Sequence, residues 1–524
     1  MGSGVRGFFR ALATRRELWL LAPILLAHSL LWNYTVDDAY ISFRYAENLL
    51  QGHGLVYNAG ERVEGYTNFL WVLLVSGPMA MKVSPVVASK AFGLAAASVL
   101  ILLVALDVGK EKGRAIGMGA ALLFALDPAF ALWTTAGLET PLFLLLSYMA
   151  MRPALAGARE IPAWAGVCAG LAALTRPEGY IVFGIVAAIA LARRAGRASL
   201  RAAATFALLV VPHLIFKLAY YGDLLPNTYH AKVGGVLAWE RGVQYLGDWL
   251  LRYGAAPLLI LAIAGTIALA RRGSPRLLPL AASGTIFSIY VCAVGGDGLT
   301  MFRFALFVFV PLALLAAEGA SLIAARAPAN AHNAALLVLL ALAAIFPARN
   351  SFAGPYHAFA VDDRHRVLYH WVEIGKWLSR HSLPKDAVAV GVAGAIPFYG
   401  KITAIDMLGI TDRHIAHTPS ASAGSGIAGH ERHDMKYVLE RKPEFIIHYP
   451  FLVPSPDSAF TVNQFKTEWN PGLAELLNSP EFDKGYRGEV AEVRIAKDRL
   501  MYLPFFRRRY ESRRTAQQPA VQNP

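Results

Sequence analysis

TNFLWVLLVSGPMAMKV, residues 67–83, is apolar enough to be taken for a membrane-spanning helix, and its reading decides the fold. A helix needs about 20 mainly apolar residues to cross the hydrocarbon core. Eleven other stretches approach that length, near 17–35, 86–108, 115–135, 139–155, 161–176, 178–192, 202–220, 255–271, 276–294, 303–323 and 332–348. Short basic loops stay on the cytoplasmic side. If 67–83 lies along the membrane surface, every second loop falls inside. Those loops carry Lys110, Lys112 and Arg114; Arg152 and Arg159; Arg193, Arg194, Arg197 and Arg201; Arg271, Arg272 and Arg276; and Arg326. If 67–83 spans, all of them move outside, while the basic N-terminus with Arg6, Arg10, Arg15 and Arg16 stays in. Charge therefore selects the surface helix. The expected fold is a polytopic α-helical membrane protein of about eleven spans, with an uncleaved first helix and a cytoplasmic N-terminus.

Composition agrees. Hydrophobic residues make up 56% and charged residues 16% of the 524, where soluble domains carry about 45–50% and about 25%. The net charge of +14 sits in short loops between apolar segments, so it marks cytoplasmic loops and not a nucleic-acid surface. Cys168 and Cys292 both lie in apolar segments, which excludes a disulfide framework and a Cys-rich metal site.

Beyond residue 350 the texture changes. HRVLYHWVEIGKWLSRHSL (365–383) has helical spacing of apolar residues, AVAVGVAG (387–394) and ITAID (402–406) read as strands, MKYVLERK as a helix and PEFIIHYP as a strand. Alternating strands and helices predict a small α/β domain. The expected division is a transmembrane domain over 1–349, with its first outer loop at 36–84, an extracytoplasmic α/β domain over 350–506, and a disordered basic tail over 507–524.

The outer loops hold a polar population that the basic loops lack. The first begins DDAYISFRYAENLLQGHG, residues 37–54. Thr35-x-x-Asp38 resembles a capping box, and acids in a first helical turn suit the helix dipole. A cap needs only one acid, and two adjacent carboxylates repel, which raises one pKa and makes a base. GERVEGYTNFLW (60–71) packs Glu61, Arg62, Glu64, Tyr66 and Asn68 into one turn, a set suited to a sugar's hydroxyls and apolar face. Glu139 in TAGLETPLF starts a helix, and Arg176 and Glu178 in LTRPEGY read as a turn ion pair. PNTYHAKVG (226–234) offers His230 and Lys232 to a phosphate, and GGDGLTMFR (295–303) places Asp297 and Arg303 before a span. Asp37, Asp38, Asp297 and His230 leave room for a divalent metal. No fixed spacing demands one, and no P-loop, no GxGxxG of Rossmann type and no GxSxG is present.

These blocks carry a resemblance. The Asp-Asp pair in a first outer loop, followed by juxtamembrane segments, many spans and an outer C-terminal domain, resembles the GT-C superfamily of membrane glycosyltransferases. DDAYISFRYAENLLQGHGLVYNAGERVEGYTNFLW looks like the first outer loop of the terminal arabinofuranosyltransferases of actinobacterial cell walls and their uncharacterised bacterial relatives. GLETPLF, PNTYHAK, GGDGLTMFRF and IDMLGITDRHIA look like further blocks of that family. The resemblance implies an inverting transfer of a sugar, arabinofuranose first, from a polyprenyl-phosphate donor to an envelope glycan or lipid at the outer face of a bacterial inner membrane. It implies Asp37 or Asp38 as base, with Asp37 preferred as the first acid of the loop. Arg44, His230, Lys232 and Arg303 become candidates for the donor phosphate, and Glu64, Tyr66, Asn68 and Glu139 for sugar or acceptor. No cofactor is required, and the expected partners are lipids and glycans. The alternative is a transporter or flippase of lipid-linked glycans. It wants midplane charges and repeated halves, which the sequence lacks.

Overall fold

The computed structural model describes residues 14–194, 196–232, 235–328, 330–419, 429–461, 472–495 and 499–509. Segment 67–83 forms a helix over Phe69–Ala80, only 12 residues long. At 1.5 Å per residue it reaches about 18 Å, short of the roughly 30 Å hydrocarbon core. Its Trp71, Val72, Val75 and Ser76 are buried against neighbouring elements, and the Trp71 indole donates to the Gly137 carbonyl at 3.1 Å.

Five helices are long and apolar enough to cross a membrane: Pro85–Lys112, Arg197–Tyr221, Leu277–Val294, Ala305–Ala324 and a helical stretch over His332–Ser351. Three bent pairs raise the number to eight if each is one span. The expected count of eleven is not reached by this measure. The segment at 115–135 breaks at Asp127–Pro128 with a 64° bend. The segments between 139 and 192 form helices of 16, 13 and 14 residues. Ala305–Ala324 is 78% buried and runs through the bundle centre, whereas Arg197–Tyr221 is 22% buried. The latter turns Leu200, Leu208, Val211, Ile215 and Leu218 outward, an apolar face suited to lipid.

The first helix pair positions the loop chemistry. Arg16–Trp32 and Asp37–Leu50 meet at 100°, because Asn33 takes a left-handed conformation (φ 35°) that asparagine tolerates better than most residues. The second helix therefore leaves the direction of the span, with both aspartates in its first turn.

The C-terminal segment builds a five-stranded sheet in the order β2-β1-β3-β5-β4, from β1 (Ala387–Val390), β2 (Thr403–Asp406), β3 (Phe445–Ile447), β4 (Tyr486–Ile495) and β5 (Arg499–Arg508). β2, β1 and β3 are parallel, as the alternating strand–helix pattern predicts, while β5 runs antiparallel to β3 and pairs with β4. The expected tail boundary moves accordingly: Arg507 and Arg508 are strand, and 510–524 lie outside the described residues. One hydrophobic core runs from the membrane helices into this sheet. At the junction the Asp37–Leu50 helix sets Tyr40 at 5.6 Å from Phe398 and 5.5 Å from Tyr399, ring to ring.

Candidate active site

The two aspartates diverge. Val36, not Thr35, caps the Asp37–Leu50 helix, and no side chain makes a capping bond there, so the expected capping box does not form. The Asp37 carboxylate instead accepts amide N–H bonds from Gly394 at 2.9 Å and Ala395 at 2.7 Å. It thereby holds the start of the Ala395–Gly400 helix. Burial pushes its carboxyl up to about 8; the Ala395 amide opposes this shift and the Asp38 charge adds to it. Gly394 permits the approach, since a Cβ there would stand 2.0 Å from the Asp37 carbonyl oxygen. Gly394→Ala is accordingly expected to cost about 1–3 kcal/mol, read as a lowered thermal midpoint in detergent.

Asp38 points elsewhere, into a cavity of about 380 Å³ walled by the loops between the helices. Among the described residues its carboxylate has no hydrogen-bond or ion-pair partner. Asp363, which accepts from the Tyr34 hydroxyl, carries a charge that acts on both aspartates. Asp37, preferred from sequence as the first acid of the loop, is thus engaged by two backbone amides, while Asp38 faces the cavity.

The same cavity collects residues from five separate sequence blocks: Ser42, Tyr66 and Asn68, then Glu139, then Arg176 and Glu178, then Lys232, then Asp297 and Arg303. Most of them are locked together. Asn68 donates to Ser42 at 3.0 Å and to Glu139 at 2.7 Å. Arg176 bridges Glu139 at 2.5 Å and Glu178 at 2.7 Å, and its guanidinium lies 5.3 Å from the Phe304 and Phe307 rings. Burial alone would raise the Glu178 carboxyl, but the Arg176 charge holds it below its ordinary value. Glu139 caps nothing with its side chain, so its helix-start position does not explain it. Tyr66 contacts Tyr221 through hydroxyls 3.1 Å apart.

The cations divide in the same way. Arg303 is paired with Asp297 at 2.6 Å and stacks beside Trp133. Lys232 has no ionic or hydrogen-bond partner among the described residues, and Gly429 lies against its methylenes. Three of the expected ligands lie outside the cavity. Arg44 is buried and turns four of its five N–H donors to the carbonyls of Tyr57, Pro397 and Ile402 and to the Asn58 side chain, at 2.7–3.0 Å. His230 faces Asp223 at 3.0 Å. Glu64 pairs with Lys217 at 3.0 Å; burial pushes its carboxyl up to about 7 against that lysine's pull. The four groups with room for a metal, Asp37, Asp38, Asp297 and His230, do not converge among the described residues. Sequence reading gave Arg176, Glu178 and Asp297 to turns. Their position between span candidates, in loops lacking the basic pattern, was the signal that they share a face.

The arrangement of these helices and the sheet is a fold shared with solved membrane-protein structures. The chain superposes on ArnT from Cupriavidus metallidurans bound to undecaprenyl phosphate with a TM-score of 0.56, covering 94% of this chain and 98% of that one at 12% identity. ArnT in the apo state gives 0.54. In sequence the chain is homologous to terminal beta-(1->2)-arabinofuranosyltransferases. It is 29% identical over 266 residues to that of Mycobacterium tuberculosis, covering 47% of this chain and 42% of the relative. It is 28% identical over 306 residues to that of Corynebacterium glutamicum, covering 50% and 44%. The match thus spans less than half the length of these curated relatives. Residues 360–500 match a family described as a domain of unknown function, DUF8728. The resemblance carried by the first loop is borne out, and the chain is a multi-pass membrane protein with glycosyltransferase homologues.

Proposed function

We propose that this protein is an inverting glycosyltransferase. In this reading it moves a sugar, arabinofuranose first, from a polyprenyl-phosphate donor to an envelope glycan or lipid at the outer face of a bacterial inner membrane. The observation that carries the reading is a charge pattern. In one cavity among paired ions, Asp38 and Lys232 alone stand without protein partners among the described residues. A free carboxylate suits an acceptor hydroxyl, and a free ammonium suits a phosphate.

Asp38 takes the proton of the acceptor hydroxyl as its oxygen attacks the anomeric carbon. The bond to polyprenyl phosphate breaks, and configuration inverts because a single displacement needs one base and no nucleophilic carboxylate. The leaving phosphate gathers negative charge, which Lys232 offsets, with Arg303 lining the same cavity. Asn68 and Glu139, fixed by Ser42 and Arg176, present a rigid polar edge to the sugar hydroxyls, and Tyr66 presents a ring. The names of the homologues support arabinofuranose as the first donor to try, and the undecaprenyl phosphate held by ArnT supports a lipid-phosphate carrier.

Lys232→Ala tests the phosphate contact. A charge-assisted hydrogen bond contributes about 1.5–3 kcal/mol, so the expected result is a rise of roughly 10–100-fold in KM for polyprenyl-phospho-arabinofuranose in proteoliposomes. An unchanged kcat/KM for the donor removes Lys232 from the mechanism.

A further inference from the structure

Outside the cavity, three ligand-type side chains from two distant parts of the chain meet. Asp223 precedes the short Asn227–Lys232 helix and His230 lies within it, while His417 ends the Arg413–His417 helix. One ligand atom from each lies within 4.8 Å of the other two. The His230 Nε2 is 3.0 Å from the Asp223 Oδ2, and the His230 and His417 rings are 4.2 Å apart at 33°.

The outer hydrogen bonds of the trio are already arranged as a metal site needs them. The His417 Nδ1 lies 2.8 Å from the Arg413 carbonyl, an acceptor only, so this nitrogen carries the proton and Nε2 presents its lone pair. The other Asp223 oxygen accepts the Leu225 amide at 2.9 Å, which orients the carboxylate and leaves Oδ2 for the imidazoles. An Asp–His pair needs no second imidazole. Two adjacent rings gain nothing from one carboxylate if both are protonated, because the cations repel. Three such groups are instead a common catalytic-type zinc set, two histidines and a carboxylate with an open fourth position. Asp223 and His230 are half-buried and His417 is exposed, so an ion can reach the site from solvent.

We infer that Asp223, His230 and His417 bind a divalent transition metal of the zinc class and clasp the C-terminal sheet domain to the loop that carries Lys232. The clasp complements a fixed contact at the other end of the same short helix. There the Asn227 side chain donates to the carbonyls of Gly409, Ile410 and Asp412, at 2.8, 3.0 and 3.2 Å. Among the described residues this is the one group of three or more His, Cys, Asp or Glu side chains whose ligand atoms converge. The inference concerns binding and stability, so it stands or falls independently of the proposed sugar transfer.

The test uses the full chain in detergent, stripped with a chelator and titrated with Zn²⁺ in competition with a chromophoric chelator. Wild type is expected to bind one equivalent, and His417→Ala and His230→Ala to weaken it by at least about 100-fold, the upper end of what losing even an outer-shell partner costs. Zn²⁺ is expected to raise the thermal midpoint of wild type and not that of His417→Ala. The metal-free midpoints of these two proteins should lie close together, because His417 is exposed. Wild-type binding no stronger than that of the His230→Ala/His417→Ala double variant overturns the site. So does wild-type affinity in His417→Ala.

Discussion

Asp38→Asn is expected to lower the rate of sugar transfer by about 10²–10⁴-fold, the range that general-base catalysis supplies, while the protein folds and inserts as before. The reason for the selective effect is that the Asp38 carboxylate holds no partner among the described residues. Its neighbour Asp37 accepts two backbone amides of the C-terminal domain, whereas the Asp38 carboxylate only faces the cavity. Asparagine keeps the shape and the helix position but has no lone pair basic enough to take a hydroxyl proton. The effect should appear in kcat with donor and acceptor saturating, because the lost interaction forms as the proton moves. A comparable fall in thermal midpoint would instead place Asp38 among the groups that hold the fold.

Arg44→Leu is expected to lose roughly 3–5 kcal/mol of stability, read as a large drop in midpoint and in yield of inserted protein. The side chain is buried, and its four bonds join three carbonyls and one amide oxygen from the first loop and the sheet domain. Each acceptor left unsatisfied costs about 1–3 kcal/mol, partly recovered by rearrangement. Arg44→Lys is expected to recover little of it, since one ammonium cannot reproduce a planar fork that meets carbonyls on two sides. If Arg44→Leu kept the wild-type midpoint but raised KM for the donor, the phosphate role implied by family resemblance would return.

These two residues mark what the sequence made legible. Helices, the parallel strands and the polar loops all follow from local pattern: apolar run length, loop charge and period. Asp37 and Asp38 are adjacent in sequence and occupy the same first turn, so nothing local separates them. Their roles part because successive helix positions point about 100° apart and a strand-to-helix turn 357 residues away meets only one of them. Arg44 misled for a related reason. The resemblance made it a phosphate candidate, but two of its bonds go to carbonyls at positions 397 and 402, which no pattern near residue 44 announces. The β4–β5 hairpin was missed because its last residues are the basic run that also reads as a tail. Family blocks, by contrast, named most of the cavity wall: Tyr66, Asn68, Glu139, Lys232 and Arg303 all line it.

The central claim is that a free carboxylate at residue 38 does the chemistry on a lipid-phosphate sugar. The direct measurement is the initial rate of transfer from polyprenyl-phospho-arabinofuranose to native envelope glycan in proteoliposomes, for wild type and Asp38→Asn at equal inserted amounts. Transfer by wild type and its near-complete loss in the variant is the predicted result. Equal rates in the two proteins would contradict it.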